Sequence, residues 1–436
     1  MEEGTMLALL GFGTIIVFTV LVMWRKLSAI AGLVLVPLLF GLLGGFGEDL
    51  GKMMLSGIKT TAPTAVMLTF ALMFFLVMTE CGLFEPLVRL ILRVVKEDPV
   101  KIAIGTALLI MVISLDGDGS TAVFIVLTSM WPIYRAIKMN PLIMAMLLGI
   151  ITPTTNWLPW GGPAARMATS LRIDISEVVV PMLPALVLTH VGALGFAYLA
   201  GRIERKRLNK LKASGVESEL LDLDIGTREA KKSHFIWFNL FLTIAFIAGM
   251  ALEILPLPAW ALVAFSVAVT VNWPNLKTQT EKLKPHGWTI VTVVSLILAA
   301  GAFTGIINET GMVSAMADSL VSVMPQSWGT AFTFIVAAIA GPLLFVLSND
   351  GFYFGVVPIL AEAGANFGVP PAMVSHAVLP GIYLHTMSPL NAPLYLVAAM
   401  LRTDFGSLWR FAFPWAIGIT LWAILMATVT GAIGLV

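Results

Sequence analysis

The sequence predicts an all-α polytopic membrane protein made of two inverted repeats of five transmembrane helices, each repeat with a re-entrant helical hairpin and a discontinuous helix. Three observations lead to this fold class: the composition, the distribution of positive charge and an internal repeat. Of the 436 residues, 58% are hydrophobic and 12% are charged, whereas a soluble domain carries about 25% charged residues. Apolar runs of about 20 residues favour helices that span a bilayer over the shorter strands of a barrel.

The composition also excludes several classes of function. A net charge of +1 offers no basic surface, so no nucleic-acid partner is expected. Cys81 is the one cysteine in the sequence, which excludes an intrachain disulfide and a cysteine-based metal site. The longest polar stretch, 202–234, is too short for a separate catalytic domain. We therefore expect that the protein is not an enzyme.

The first repeat, residues 1–201, combines plain apolar runs with two longer segments. Segments 101–130 and 140–170 are each about 30 residues long and carry polar residues at mid-length, whereas a straight span needs about 20 residues. We expect 101–130 to be a re-entrant hairpin and 140–170 to be a discontinuous helix, because irregular backbone at membrane depth is tolerated where it is buried in protein or lines a cavity. Plain spans are predicted at 5–24, 27–46, 61–79 and 177–201.

The second repeat, residues 235–436, shows the same order of segments. A re-entrant hairpin is predicted at 329–358 and a discontinuous helix at 371–401, by the same argument from length and central polarity. Plain spans are predicted at 235–255, 257–273, 288–308 and 408–432. The charged stretch 202–234 joins the two repeats as a predicted cytoplasmic linker.

The distribution of lysine and arginine supports this topology. With the N- and C-termini outside, 22 of the 26 positive residues fall in cytoplasmic loops. Lys52, Lys59 and Arg172 fall outside, and Arg166 falls within the membrane. A bias of this size follows the positive-inside rule. It holds only if hairpin 101–130 enters and leaves on the cytoplasmic side and hairpin 329–358 does so on the outer side.

An internal repeat relates the two halves of the chain. Leu171–Asp174 reappears as Leu401–Asp404 at an offset of 230 residues, and Glu80–Leu83 has a counterpart in Glu309–Met312. Three pairs of prolines align at the same offset: Pro159 with Pro389, Pro163 with Pro393, and Pro184 with Pro414. An odd number of spans in each half places the halves in opposite orientations. Inverted repeats with broken helices are typical of secondary transporters.

The tip of the first hairpin carries two aspartates in an apolar segment. An aspartate at the centre of a bilayer costs roughly 2.5–3.5 kcal/mol, so the pair Asp116 and Asp118 indicates a site for an ion or a ligand. The intervening Gly117 lets backbone N–H groups approach a ligand closely. Two alternatives remain open. The tip could be an exposed loop with Asp-Gly turns, or the aspartates could serve an intramembrane aspartyl hydrolase, although the Gly-x-Gly-Asp order of those enzymes is absent.

The discontinuous helices supply the other candidate groups. Prolines spaced by four residues interrupt each helix, and each break leaves a helix N-terminus that suits a carboxylate. Arg166 lies after the first break, and its planar fork also suits a carboxylate. The alternative for Arg166 is an internal ion pair with one of the aspartates. His385 lies before the second break and is either a proton carrier or a hydrogen-bonded structural histidine.

Four motifs resemble those of the citrate–metal:proton symporters, the CitMHS family of the ion-transporter superfamily. They are Ser-Leu-Asp-Gly-Asp-Gly-Ser at 114–120, Asn-Trp-Leu-Pro-Trp-Gly-Gly-Pro at 156–163 followed by Arg166, Asp-Gly-Phe-Tyr-Phe-Gly-Val-Val-Pro at 350–358, and Ser-Pro-Leu at 388–390. The resemblance implies uptake of citrate in complex with a divalent metal ion, driven by protons. The wider superfamily implies a homodimer in which a transport domain moves against a scaffold, as an elevator.

We therefore expect a multi-pass symporter in the cell membrane, in contact with lipid, with Mg²⁺ or a similar ion as co-substrate and no permanently bound cofactor. Proton or ion coupling is assigned to Asp116, Asp118 and Asp350, and contact with the metal of the metal–citrate complex to Asp116 and Asp118. The alternative within transport is a sodium-coupled carrier of another di- or tricarboxylate. The predicted substrate-binding residues are Ser114, Gly117, Gly119, Ser120, Asn156, Gly161, Gly162, Arg166, Ser348, Asn349, Gly351, Thr386, Ser388 and Asn391.

Overall fold

All regular structure in the described part of the protein is helical. The computed structural model describes residues 2–24, 26–83, 85–86, 90–91, 98–116, 119–213, 235–252, 254–322, 324–388 and 391–435. The predicted all-α fold is therefore confirmed. Gly117, Asp118 and the greater part of the predicted linker, 214–234, lie outside the described residues, as do the side chains of Asp116 and Ser120.

The first half of the chain forms helices interrupted at the predicted hairpin tip and at the predicted helix break. A 3₁₀ turn, Ser114–Asp116, follows the helix Pro99–Ile113 at the hairpin tip. The helices are α1 Glu2–Met23, α2 Ala29–Leu43, α3 Leu50–Glu80, α4 Pro99–Ile113, α5 Gly119–Ala136, α6 Pro141–Thr155, α7 Gly162–Leu171, α8 Ile175–Val179 and α9 Leu183–Ala213.

The second half repeats this order. A π-helical turn, Gly351–Val356, precedes the helix Val357–Ala365 at the tip of the second hairpin. The helices are α10 Ile236–Ala251, α11 Leu257–Asn272, α12 Leu276–Leu283, α13 Gly287–Glu309, α14 Met312–Ser322, α15 Phe332–Val346, α16 Val357–Ala365, α17 Pro371–Val378, α18 Ile382–Thr386, α19 Ala392–Met400 and α20 Phe405–Val429.

Local sequence explains where several of these helices begin. Asp98 and Asn140 each precede a proline, and their side chains accept hydrogen bonds from the second residue of α4 and α6, both at 3.0 Å. An Asx residue at the N-cap followed by proline is a favoured helix start. Asp174 and Glu177 form a reciprocal capping box at the start of α8, which satisfies backbone N–H groups at that end.

Six described helices are long and apolar enough to cross a bilayer alone, and a seventh span is possible if Leu257–Asn272 and Leu276–His286, bent by 118°, count as one. The remaining predicted spans contain shorter helices. In the predicted span 371–401 the breaks divide the chain furthest, and its longest helix, Ala392–Met400, has 9 residues. The protein is thus a multi-pass membrane protein. Two helix ends differ most from the prediction. The helix α3 begins at Leu50 and runs for 31 residues, whereas the predicted span began at 61, and α9 continues to Ala213, whereas the predicted span ended at 201.

The backbone itself follows the internal repeat. Arg172 and Arg402, which are equivalent at the offset of 230, have φ values of 57° and 52° directly after α7 and α19. Gly82 and Gly311, which follow α3 and α13, have φ values of 72° and 77°. Non-glycine residues rarely adopt this left-handed conformation. Its recurrence at equivalent helix ends indicates that the two halves share one folding pattern.

The two halves pack against each other along several helices, and two of these contacts position the site. Where α3 crosses α13, a Cβ atom on Gly57 would lie 2.0 Å from the Gly301 carbonyl oxygen, so the backbones approach as closely as small residues permit. At the second place the two discontinuous helices meet. The Thr154 Oγ1 and Tyr383 hydroxyl atoms are 2.9 Å apart, and Thr386 Oγ1 donates to the Gly149 carbonyl at 3.0 Å.

Candidate functional site

The first helix break is a tight turn between α6 and α7. Thr155 ends α6 and Gly162 begins α7, with the intervening residues in turns. A Cβ atom on Gly161 would lie 2.4 Å from the Asn156 carbonyl oxygen. Glycine at 161 therefore allows the chain to fold back onto residue 156, and it places the N-terminus of α7 next to the break.

Two tryptophans anchor this break inside the protein. The Trp160 indole is buried, and its Nε1 donates to the Leu115 carbonyl at 2.9 Å. This bond ties the break to the tip of the first hairpin. Trp157 is also buried, with its ring 6.1 Å from the ring of Tyr383. Its Nε1 has no hydrogen-bond partner among the described residues, so a donor within the site is left unused.

Arg166 lies one turn into α7 and forms an ion pair with the tip of the second hairpin. Its Nε donates to Asp350 Oδ1 at 2.8 Å, and the two side chains are 17% and 16% exposed. Gly162 provides space for the guanidinium, because a Cβ atom there would lie 2.6 Å from Arg166 Nη1. The structure thus contains the internal ion pair that the sequence left open as an alternative, with Asp350 as the partner.

The second hairpin tip places several polar atoms next to this ion pair. The Ser348 Oγ accepts a hydrogen bond from the Gly351 N–H at 3.2 Å, and a Cβ atom on Gly351 would lie 2.9 Å from Thr19 Oγ1 on α1. Asn349 Oδ1 and the Tyr353 hydroxyl are buried without a hydrogen-bond partner among the described residues. Single π-helical turns occur frequently at functional sites, and this one carries Tyr353.

The second helix break uses its polar side chains to hold neighbouring backbone. His385 Nδ1 lies 2.7 Å from the Leu344 carbonyl oxygen, and Ser388 Oγ donates to the Phe345 carbonyl at 2.6 Å. These carbonyls belong to the last turn of α15, which lacks helical partners. Asn391 Nδ2 donates to the Thr386 carbonyl at 2.8 Å. In this conformation the predicted ligand groups of the second break stabilise the break and the hairpin.

The predicted residues therefore separate into three groups: those at the Arg166–Asp350 ion pair, those at the first hairpin tip, and those that hydrogen-bond to backbone at the second break. Arg166 and Asp350 are in direct contact, and His385 lies within electrostatic range of both. The first hairpin tip contributes the buried Ser114 hydroxyl, which has no partner among the described residues. The described residues contain no cluster of three or more potential metal-ligating His, Cys, Asp or Glu groups. The metal assignment to the first tip stays a prediction, because its two aspartate side chains lie outside the described part.

Sequence reasoning missed Tyr353 and Thr154. Tyr353 lies within the motif 350–358, but neither periodicity nor charge marked its hydroxyl as a site group. Thr154 contacts Tyr383 across the two discontinuous helices. The signal that could have identified both is the same: each is a hydroxyl residue next to a predicted break or tip.

Two further ion pairs lie at helix ends. Lys282 Nζ is 2.9 Å from Glu80 Oε2, and Arg172 Nη2 is 3.2 Å from Glu309 Oε1. At the predicted cytoplasmic end of α4, burial by itself would raise the pKa of Asp98. Hydrogen bonds from Arg205 and from a backbone N–H, together with nearby positive charge, outweigh burial and lower that pKa below its ordinary value.

Comparison with known proteins gives consistent results. Residues 14–380 match the model of the CitMHS family, described as citrate transporter. The chain is 43% identical to the citrate transporter of Bacillus subtilis (strain 168), over 98% of this chain and 100% of the relative. It is 37% identical to the Mg²⁺/citrate complex secondary transporter of the same organism, over 99% of this chain and 100% of the relative. The crystal structure of the Alcanivorax borkumensis YdaH transporter, described as having an unusual topology, has a similar fold, with a TM-score of 0.58, 17% sequence identity and coverage of 89% of both chains.

Proposed function

The chain belongs to the CitMHS family of citrate transporters, and from this premise we propose that it is a secondary active symporter that carries citrate as a complex with a divalent metal ion, together with protons. Membership confirms the family resemblance of the sequence motifs. It also confirms that the protein is not an enzyme, because the family and the curated relatives are transporters. One relative is named for a Mg²⁺/citrate complex, which supports the metal complex as the substrate.

The observation that carries the proposal is the position of Arg166. Its guanidinium lies largely shielded from solvent at the junction of α7 with the second hairpin tip. A guanidinium has five N–H donors, and among the described residues Asp350 is the one hydrogen-bond partner of Arg166, through Nε. Nε and a terminal nitrogen together form a planar fork that binds carboxylates in a bidentate manner, so a substrate carboxylate on this fork takes the position that Asp350 holds in this structure. We assign this fork to one carboxylate of citrate.

Further polar groups complete the proposed binding site. The Trp157 indole N–H and the Ser114 hydroxyl are buried polar groups on the first repeat that lack partners among the described residues. A divalent metal such as Mg²⁺ prefers oxygen ligands, retains water and needs only one or two protein carboxylates. Citrate brings oxygen ligands of its own, so Asp116 and Asp118 suffice as protein ligands to the complex.

We further propose that the protein works as a homodimer in the cell membrane, with both termini outside and an elevator-type movement of the hairpins and discontinuous helices. The helix breaks give each half short site-forming helices next to long helices. A fold shared with another transporter is compatible with this arrangement. Proton coupling is assigned to Asp116, Asp118 and Asp350, the three aspartates that the sequence places at the two hairpin tips.

The decisive experiment is citrate uptake by purified protein in proteoliposomes. Uptake should require a divalent metal, respond to an imposed proton gradient and persist when sodium is replaced by another cation. Uptake that depends on sodium would favour the sodium-coupled alternative instead. Counterflow of labelled citrate measures binding and exchange without a gradient, and therefore separates a defect in coupling from a defect in recognition.

The carboxylates of the first tip are tested in the same assay. Asp116→Asn and Asp118→Asn should change the pH profile of uptake, its metal dependence, or both, because each removes one charge from a coupled pair. Asp318→Asn serves as the matched control, since Asp318 is an exposed aspartate on α14, away from the helix breaks. If both first-tip variants keep the parental pH and metal profiles, these aspartates are structural.

A further inference from the structure

We propose that Asp350 is a built-in occupant of the carboxylate site on Arg166, which a substrate carboxylate displaces and which binds a proton once displaced. This inference deepens the proposed function and rests on it in one respect, namely that the displacing group is a carboxylate of citrate. Asp350 then has a specific role in the coupling: it competes with the substrate when ionised and permits binding when neutral.

The geometry of the ion pair is that of a replaceable ligand. Asp350 reaches Arg166 through one contact, Nε to Oδ1 at 2.8 Å, whereas a carboxylate that takes the fork in a bidentate manner makes two parallel hydrogen bonds. The two residues also lie on separate elements. Arg166 is on α7 of the first repeat, and Asp350 is at the start of the π-helical turn of the second.

The surroundings of Asp350 can accept the displaced side chain in its neutral form. Asn349 Oδ1 is an acceptor and the Tyr353 hydroxyl is both donor and acceptor. Both are buried and without hydrogen-bond partners among the described residues. A neutral carboxylic acid brings an O–H donor that an ionised carboxylate lacks. Asn349 precedes Asp350 in the chain and Tyr353 lies in the turn that Asp350 begins, so we assign these atoms as the partners of protonated Asp350 when Arg166 is occupied by the substrate.

The electrostatics set the direction of the coupling. Among the described residues, Arg166 on α7 and His385 on α18 lie within electrostatic range of Asp350 from other elements, and Tyr353 on the π-helical turn lies within range of Arg166. On the side of α1 the tip meets the Thr19 hydroxyl. A partly buried carboxylate that loses its guanidinium partner favours the protonated state.

Substrate binding and protonation of Asp350 therefore assist each other. If substrate binding raises the proton affinity of Asp350 by some factor, protonation raises substrate affinity by the same factor. Compared with independent binding, this coupling lowers the population of the carrier that holds only the substrate or only the proton. This gives a structural origin for cooperative binding of substrate and proton at one arginine.

The experiment is equilibrium binding of citrate, with and without Mg²⁺, to purified wild type and Asp350→Asn over a range of pH. Asparagine cannot ionise, so Asp350→Asn imitates the protonated residue. At mildly alkaline pH this variant should bind about ten-fold tighter or more, the range expected when a competing charge-assisted hydrogen bond is lost. Wild-type affinity should rise relative to the variant as the pH falls, and the titration of citrate itself is common to both.

Glu309→Gln is the matched control, because Glu309 also pairs with an arginine, Arg172, but away from the helix breaks. It should bind citrate as the wild type does, with the same pH dependence. Equal or weaker binding of citrate by Asp350→Asn, relative to wild type, would overturn the inference and would instead identify Asp350 as a direct ligand or a structural residue.

Two further measurements keep the proposal testable. If Asp350→Asn does not fold, calorimetry of wild type in buffers of different ionisation enthalpy should show proton uptake on citrate binding at mildly alkaline pH, and its absence refutes the displacement. If wild type does not bind citrate, the proposed function fails. Thermal stabilisation by succinate, malate and tricarballylate should then still be larger for Asp350→Asn than for wild type, and equal stabilisation overturns the inference.

Discussion

Replacing Arg166 by lysine separates a carboxylate-binding arginine from one that serves only an internal ion pair. Lysine keeps the positive charge but has a single ammonium group in place of the planar fork. In the structure, Nε of Arg166 already contacts Asp350 at 2.8 Å. A lysine ammonium has no planar pair of donors, so it cannot hold a ligand carboxylate by two parallel hydrogen bonds even when the ligand takes the place of Asp350. The variant should fold but bind citrate more weakly.

The size of the loss follows from the burial of the site. Because the Arg166 and Asp350 side chains are 17% and 16% exposed, solvent screens their interactions only partly. A hydrogen bond to a charged group contributes about 1.5–3 kcal/mol, which corresponds to about a ten- to hundred-fold weaker dissociation constant. The loss should appear in the affinity for citrate. The thermal midpoint of the ligand-free variant should fall only slightly, because the lysine ammonium can still pair with Asp350.

The assay is equilibrium binding of citrate with Mg²⁺ to detergent-purified protein, combined with thermal unfolding of the same samples. Arg172→Lys is the matched control, because Arg172 also pairs with an acidic residue but lies after the end of α7. It should bind as the wild type does. If Arg166→Lys folds and binds citrate with wild-type affinity, Arg166 does not hold a substrate carboxylate, and the reasoning about its fork is wrong.

Three other outcomes follow from features outside the site. Gly57→Ala should lower the thermal midpoint by forcing α3 and α13 apart, at a cost of about 1–3 kcal/mol or more. The control Gly51→Ala, on the same helix, places its Cβ atom where no other atom lies within 4 Å and should be near neutral. Equal midpoints for the two variants would refute the close crossing. Single cysteines at Lys210 and Ser319, both exposed, should react with impermeant reagents from opposite sides in a cysteine-free background, and labelling from one side would contradict the inverted topology. Because the pKa of Asp98 is lowered in the folded protein, the stability that Asp98 contributes is complete above its unfolded pKa and is lost as pH falls through its folded pKa. Asp98→Asn should therefore be less stable than wild type near neutral pH and lose less further stability in acid. An acid profile identical to that of wild type would contradict this.

The positions of the helix breaks could be predicted because their cause is local. Prolines four residues apart cannot continue a helix, and the breaks before α7 and α19 follow from them. The first residue of α3 was harder to locate. Lys52 and Lys59 interrupt the apolar run there, so the predicted span began at 61, yet the helix continues through both residues. Hydropathy identifies the part of a helix within the bilayer and does not mark where the helix begins.

The contact between Arg166 and Asp350 could not be predicted as a pair. The two residues are 184 positions apart, and the sequence contains three candidate aspartates for one arginine. The choice depends on which hairpin tip approaches α7, which is a property of packing between the repeats. The same holds for Tyr353, whose unpartnered hydroxyl depends on the π-helical turn, since a regular helix would direct the side chain elsewhere.

The division of the ion pair between the repeats has a consequence for biogenesis. A ribosome adds about 5–20 residues per second, so Asp350 is synthesised about 10–40 s after Arg166. During that interval the nascent first repeat holds a guanidinium without its acidic partner, and an unpaired arginine at membrane depth is costly. The first repeat therefore cannot settle into its final packing by itself. Insertion of the second hairpin therefore completes the assembly of the first repeat. Truncated chains that end before Asp350 should be recognised by membrane quality control.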